Sequence, residues 1–62
     1  MGKIKYEIIG KVKQKNGCRF MVIKIGEYYF ARAKDSDWEH IGKPHKKISL
    51  ARKEMERLKD RY

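Results

Sequence analysis

The chain has 62 residues, 40% of them hydrophobic, and its 17 Lys and Arg against eight Asp and Glu give a net charge of +9. A chain of this length forms one small domain without room for a two-lobed catalytic cleft, and its single cysteine, Cys18, excludes an internal disulfide. No apolar run approaches the roughly 18 residues that a membrane span needs. We therefore expect a cytoplasmic protein, and a charge beyond the roughly 2–8 that solubility requires favours a polyanionic partner.

The first predicted element is a β-strand over residues 3–15, where apolar and charged side chains alternate. A period of two indicates a strand with one buried and one solvated face. The apolar side of this alternation consists of Ile4, Tyr6, Ile8 and Val12. Gly10 interrupts that side, and we expect a β-bulge or room for a bulky neighbour at this position.

Two short turns divide the next part of the chain into strands. Asn16-Gly17 and Gly26-Glu27 are residue pairs typical of two-residue hairpin loops, because each tolerates the positive φ that such loops require. β-Branched and aromatic residues on both sides predict further strands over 18–25 and 28–34.

Two-residue turns fix the register of the sheet and therefore its two faces. The predicted pairs are Val12 with Met21, Gly10 with Ile23, Ile8 with Ile25, Ile25 with Tyr28, Ile23 with Phe30, and Met21 with Arg32. We predict that the face with Met21, Ile23 and Phe30 is the core, packed against a helix. The other face is predicted to be exposed and to hold Lys11, Lys13, Lys15, Phe20, Val22, Lys24, Tyr29 and Ala31.

The remaining residues predict a connector over 35–48 and a helix over 49–61. Ser36 and Glu39 fit a capping box, so a short helical turn or a loop is expected there. Ser49 is the predicted N-cap of the final helix. An apolar stripe at helical spacing, made of Ala51, Met55, Leu58 and Tyr62, should pack on the sheet.

The predicted fold class is therefore α+β: a three-stranded antiparallel β-meander packed on one face by a C-terminal α-helix, with residues 1–62 forming one basic domain. Catalytic and metal-binding patterns are absent from the sequence. Cys18, His40 and His45 match no zinc spacing, no glycine-rich phosphate loop precedes a helix, and no nucleophile has a base beside it. We expect no enzyme activity, no metal and no cofactor.

Several features together resemble the arm-type DNA-binding domain of tyrosine recombinases. They are the lysine-rich first strand, Asn16-Gly17 before an aromatic strand, Tyr28-Tyr29-Phe30 on the third strand, and Ile48-Ser49-Leu50-Ala51-Arg52 opening a helix. The resemblance extends from about residue 11 to 58. It implies a sheet face that enters the major groove of DNA, but no recombinase activity, since the catalytic domain is missing.

The favoured function is therefore nucleic-acid binding, with double-stranded DNA as ligand and RNA as a further possibility through base stacking. Alternatives are a sequence-nonspecific DNA-coating protein, similar in size and lysine content to small chromatin proteins of thermophilic archaea, and a protein-interaction module that inhibits a host enzyme. We expect a monomer, or a weak dimer formed through the edge of the third strand, associated with the nucleoid if it binds DNA. The predicted nucleic-acid-binding residues are Lys11, Lys13, Lys15, Phe20, Lys24, Tyr29, Lys46 and Lys47.

Overall fold

A computed structural model describes residues 5–61 of the protein. Within this range, four strands form one antiparallel sheet in sequential order, and one helix follows them. The predicted α+β class is confirmed, but the sheet has four strands rather than three. Within residues 5–61, no helix has the length and hydrophobicity to cross a membrane. The elements are β1 (Glu7–Lys15), β2 (Cys18–Ile25), β3 (Tyr28–Lys34), β4 (Glu39–Ile41) and α1 (Ile48–Asp60).

Both hairpin turns lie where the sequence predicts them. Asn16 and Gly17 have φ values of 52° and 79°, as two successive left-handed residues require. Gly26 has a φ of 61° and opens the second turn. The tight second turn sets the β2–β3 register, and all of its predicted pairs are confirmed: Ile25 with Tyr28, Ile23 with Phe30, and Met21 with Arg32.

A β-bulge alters the register between β1 and β2. Near the turn the predicted register holds, with Lys15 opposite Cys18 and Lys13 opposite Phe20. Beyond Gly10, which has a φ of 80°, the register shifts by two residues, so Ile8 lies opposite Ile23 and not Ile25. The predicted pairings of Gly10 with Ile23 and of Val12 with Met21 are absent for the same reason, since both residues of β1 lie in the bulge. Because the shift is an even number of residues, each side chain keeps its face of the sheet.

The helix packs on the face of the sheet that we predicted to be exposed. Ala31 and Ala33 are fully buried and small, so they leave space for the helix to approach β3 through Ala51. Helix packing at this position also buries the larger side chains of β2. The predicted assignment of the two faces is therefore wrong. The core consists of Cys18, Phe20, Val22, Ala31, Ala33, Ala51 and Met55, with Ile9, Tyr29 and Leu58 packed against it.

The helix has the predicted apolar stripe but begins one residue earlier than predicted. Lys47 is the N-cap, in extended conformation and without a side-chain cap, and its carbonyl oxygen accepts the Ala51 N–H at 3.3 Å. Ser49 lies inside the first turn, so its predicted capping role is wrong. Met55 is buried in the stripe. Two predicted core residues, Ile4 and Tyr62, lie outside the described residues.

The connector forms the fourth strand instead of the predicted capping box. The Asp35 carboxylate accepts the backbone N–H groups of Asp37 at 2.7 Å and Trp38 at 3.1 Å, which turns the chain back onto β3. β4 then pairs with β3, and His45 continues along the same edge through two backbone hydrogen bonds to Tyr29 of 2.7 and 2.8 Å. These contacts cover the outer edge of β3, which the prediction of a weak dimer took to be exposed.

Candidate nucleic-acid interface

The predicted binding residues do not form one exposed patch. Phe20 is 0% exposed in the core, so its predicted contact with nucleic acid is wrong: the helix covers it. Tyr29 is half-buried on the helix side, and the Lys24 ammonium lies 5.8 Å from the centre of its ring. That distance allows a cation–π contact between these two side chains.

Two of the predicted lysines contact the helix. Lys13 Nζ donates a hydrogen bond to Glu56 Oε2 at 2.7 Å, and Lys15 Nζ donates one to the Lys59 carbonyl oxygen at 3.1 Å. A cation at the C-terminal turn interacts favourably with the helix dipole. The hydrogen bonds from Lys13 and Lys59 hold the pKa of Glu56 below its ordinary value, against a smaller opposing effect of burial. Both lysines of β1 therefore help to attach the helix to the sheet.

Glu56→Gln is expected to lower the melting temperature at pH 7 and to have no effect at low pH. Because the folded-state pKa of Glu56 is lowered, its stabilising effect is present above the pKa of the unfolded chain, about 4.3, and is lost as the pH falls through the folded value. Thermal unfolding of both proteins from pH 7 to 2.5 measures the difference. Glu27→Gln, at the exposed second turn, is the control and should show no difference at any pH. A Glu56→Gln difference that persists unchanged at pH 2.5 contradicts this assignment.

The other three predicted lysines, Lys11, Lys46 and Lys47, are exposed. Lys11 belongs to the bulge of β1, at one edge of the sheet. Lys46 and Lys47 follow His45, which pairs with the outer edge of β3. The exposed lysines therefore lie at two opposite margins of the sheet.

The sheet face away from α1, called here the open face, carries no covering element within residues 5–61. Ile23 is nevertheless only 1% exposed, because it lies on a central strand between Ile8 and Phe30. The surrounding residues are 42–45% exposed, which is unusual for large apolar side chains grouped on one surface. They are Tyr6, Ile8, Val12, Tyr28 and Ile41.

Cross-strand pairing arranges the open face in rows of different chemistry. One row is polar, with Arg19 opposite both Gln14 and Lys34. Four residues further along β2, a row of Ile8, Ile23 and Phe30 is apolar. The open face therefore has a polar end and an apolar end, about 14 Å apart at 3.4 Å per residue over four residues of β2.

Arg32 lies between these two rows and is held by its neighbours. It is only 8% exposed, and its Nη1 donates to the Tyr6 hydroxyl at 2.6 Å, while Nε and Nη2 contact the Glu39 carboxylate. The Tyr6 ring centre lies 4.8 Å from the guanidinium carbon. Burial lowers the pKa of Arg32, but the hydrogen bonds to Tyr6 and Glu39 and the Glu39 charge together raise it above its ordinary value. Arg32 is thus a fixed positive charge that orients Tyr6.

The polar end of the open face contains a depression of about 510 Å³. Arg19 and Lys34 contribute its two exposed cations, and neither forms an ion pair with any residue of the described range. Their charged groups are therefore available to an anionic ligand. The depression is lined by Tyr6, Ile8, Val12, Gln14, Gly17, Arg19, Met21, Arg32, Lys34, Asp35 and Ser36.

Sequence reasoning missed Tyr6, Arg19, Arg32 and Lys34 as candidate site residues. The signal that identifies them is the composition of β3, where Arg32 and Lys34 alternate with Ala31 and Ala33. Charged side chains on one parity and alanines on the other mark the alanine side as the one that accepts a helix.

No described group of three His, Cys, Asp or Glu side chains is arranged to hold a metal ion. His45 instead contacts Glu54 Oε1 through its Nε2 at 2.7 Å and ties the connector to the helix.

No family model, curated protein or solved structure matches this chain. A functional proposal must therefore be based on the exposed side chains and cations of the open face.

Proposed function

We propose that this protein is a non-enzymatic nucleic-acid-binding protein that contacts double-stranded DNA with the open face of its sheet. The observation that supports it most is a sheet face that no element of residues 5–61 covers, with large exposed side chains and with two cations, Arg19 and Lys34, that pair with no carboxylate in that range. In a chain with a net charge of +9, such a face is attracted to a polyanion.

The dimensions of the sheet fit the major groove. The strands β1, β2 and β3 together span two interstrand spacings, about 10 Å, and the groove is about 12 Å wide. The polar row would then present its donors to base edges: a guanidinium suits guanine, and the Gln14 amide suits adenine. Apolar side chains such as Ile8 and Val12 suit thymine methyl groups.

Lysines at the margins would contact the two phosphate backbones that flank the groove. Lys11 lies at the β1 edge, and Lys46 and Lys47 lie beside the outer edge of β3, so one margin can face each backbone. The other predicted lysines, with Tyr29, project on the helix side of the sheet, and we propose no base contact for them.

A second candidate ligand is an unpaired RNA or DNA strand. The exposed rings of Tyr6 and Tyr28 favour it, because bases stack on aromatic side chains of an open sheet. The apolar row equally suits a protein partner. Nucleic acid and protein partners differ in how their binding depends on salt.

A mobility-shift assay across salt concentrations tests the proposed function. If about five phosphates are neutralised, the affinity for duplex DNA should fall with a log–log salt slope near −4.5. The same titration with single-stranded DNA and RNA identifies the preferred form, and excess nonspecific competitor DNA distinguishes a specific reader from a coating protein. Absence of binding to all three nucleic acids at low salt would exclude the function and favour a protein partner.

A further inference from the structure

A second concave site lies on the opposite side of the sheet, at the junction of β1 and α1. This site, called here the seam notch, has a volume of about 340 Å³ and is separate from the open face. Of its lining residues, the proposed function uses only Lys11, as a phosphate contact at the β1 edge. The notch is lined by Ile9, Gly10, Lys11, Lys13, Val22, Arg52 and Met55.

The bulge in β1 creates the seam notch. Residues 10–12 have no register partner on β2, and the left-handed Gly10 bends the strand at this point. The Arg52 guanidinium lies over the bulge: its Nη2 is 3.7 Å from the position that a Cβ on Gly10 would occupy. The helix thus places a cation directly above an irregular segment of the edge strand.

The notch combines an apolar floor with a cationic rim. Ile9, Val22 and Met55 form the floor, and the latter two are buried core residues. Among residues 5–61, neither Lys11 nor Arg52 forms an ion pair. Unpaired cations above apolar side chains suit a ligand that is anionic at one end and apolar at the other.

The third cation of the rim, Lys13, is held by an internal carboxylate. Glu56 Oε2 lies 2.7 Å from Lys13 Nζ and also pairs with Lys59 through its other oxygen, Oε1, at 3.1 Å. An external anion in the notch would therefore compete with Glu56 for Lys13. This competition predicts an unusual direction of effect: removing the carboxylate should strengthen binding.

We propose that the seam notch binds an organic phosphate, with the phosphate between Lys11, Lys13 and Arg52 and the attached apolar group on Ile9, Val22 and Met55. Arg52 can donate two parallel hydrogen bonds to phosphate oxygens, which a lysine cannot. The phosphate belongs either to a free small ester or to a nucleic-acid strand that passes over the β1 edge.

The test is an NMR titration of the isotope-labelled full chain with phenyl phosphate. We expect shifts of the Gly10 and Lys11 amide signals and of the Met55 methyl signal, and weaker binding of inorganic phosphate, which has no apolar group. Arg52→Gln should weaken phenyl phosphate binding about tenfold, the effect of losing roughly one charge-assisted hydrogen bond. Glu56→Gln should strengthen it, because Lys13 becomes available.

Lys53→Gln is the matched control, since it removes the same charge from the next residue of the helix, which is exposed and does not line the notch. It should leave the affinity unchanged. The proposal is overturned if Gly10 does not shift, if Lys53→Gln weakens binding as much as Arg52→Gln, or if Glu56→Gln fails to strengthen it. Duplex DNA added to the loaded protein separates the two sources: displacement of phenyl phosphate indicates a nucleic-acid phosphate, and retention indicates a small ester. Failure of DNA binding alone would not affect this result.

Discussion

Phe20→Ala is expected to unfold the domain or bring it close to unfolding at room temperature. The side chain is fully buried between β2 and α1, and truncation of such a phenylalanine costs about 3–5 kcal/mol. A domain of 62 residues has a total stability of roughly 3–9 kcal/mol. Urea unfolding followed by circular dichroism measures the loss.

Tyr28→Ala is the control for this experiment, because Tyr28 is also an aromatic residue of the hairpin but is exposed on the open face. It should cost less than about 1.5 kcal/mol, since a truncated surface side chain leaves no cavity. Equal losses for the two variants, or a larger loss for Tyr28→Ala, would mean that the helix covers the other face of the sheet.

The double substitution Arg19→Gln with Lys34→Gln is expected to reduce duplex DNA affinity about 100-fold, because two charge-assisted contacts of about 1.5 kcal/mol or more are lost. The two residues are paired across β2 and β3 at the polar end of the open face. Because they form no ion pairs within residues 5–61, the fold should remain intact. Affinity by mobility shift and stability by thermal unfolding are measured together.

The matched control is Lys53→Gln with Arg57→Gln, which removes two charges from exposed positions of the helix. It lowers the net charge by the same two units. Its loss of affinity should be several-fold smaller than that of the variant that changes Arg19 and Lys34. If both double variants weaken binding to the same extent, attraction is a property of the total charge and the open face has no special role.

The pairing of strands next to the two hairpin turns could be predicted because it depends on local sequence. Asn16-Gly17 and Gly26-Glu27 determine two tight turns, and a two-residue turn leaves one register for the strands beside it. The bulge at Gly10 could be anticipated as one of two alternatives, but not the size of its register shift. The helix stripe was also readable, since Ala51 and Met55 follow a simple helical period.

The choice of sheet face could not be made from alternation alone, because both faces of the hairpin are apolar. Met21 and Ile23 alternate with Phe20 and Val22, and a period-two pattern is equally satisfied by either set. Side-chain volume decides between them: the alanines of β3 leave space for a helix. β4 was missed because its three residues have no periodicity and pair only through contacts made in the folded chain.

The candidate site could be predicted only in part, because it too depends on contacts made in the folded chain. Charge alone identified the lysines, but it could not indicate that Lys13 and Lys15 contact the helix, because those contacts join residues more than 40 positions apart. The exposed tyrosines and Arg19 became candidates only when the helix was found on the other face. The nucleic-acid hypothesis therefore keeps its electrostatic basis, but the proposed contact surface is now the open face of the sheet.

The open face, and not the helix-covered face, is the surface proposed to meet nucleic acid. An NMR titration of the protein with a short duplex DNA at low salt tests it directly through side-chain signals on the two faces. We expect large shifts of the Ile8, Val12 and Ile41 methyl signals and of the Tyr28 ring, with small changes at Ala51 and Leu58 on the helix-covered face. Shifts confined to the helix side, or no shift of the open-face signals at saturating DNA, would contradict it.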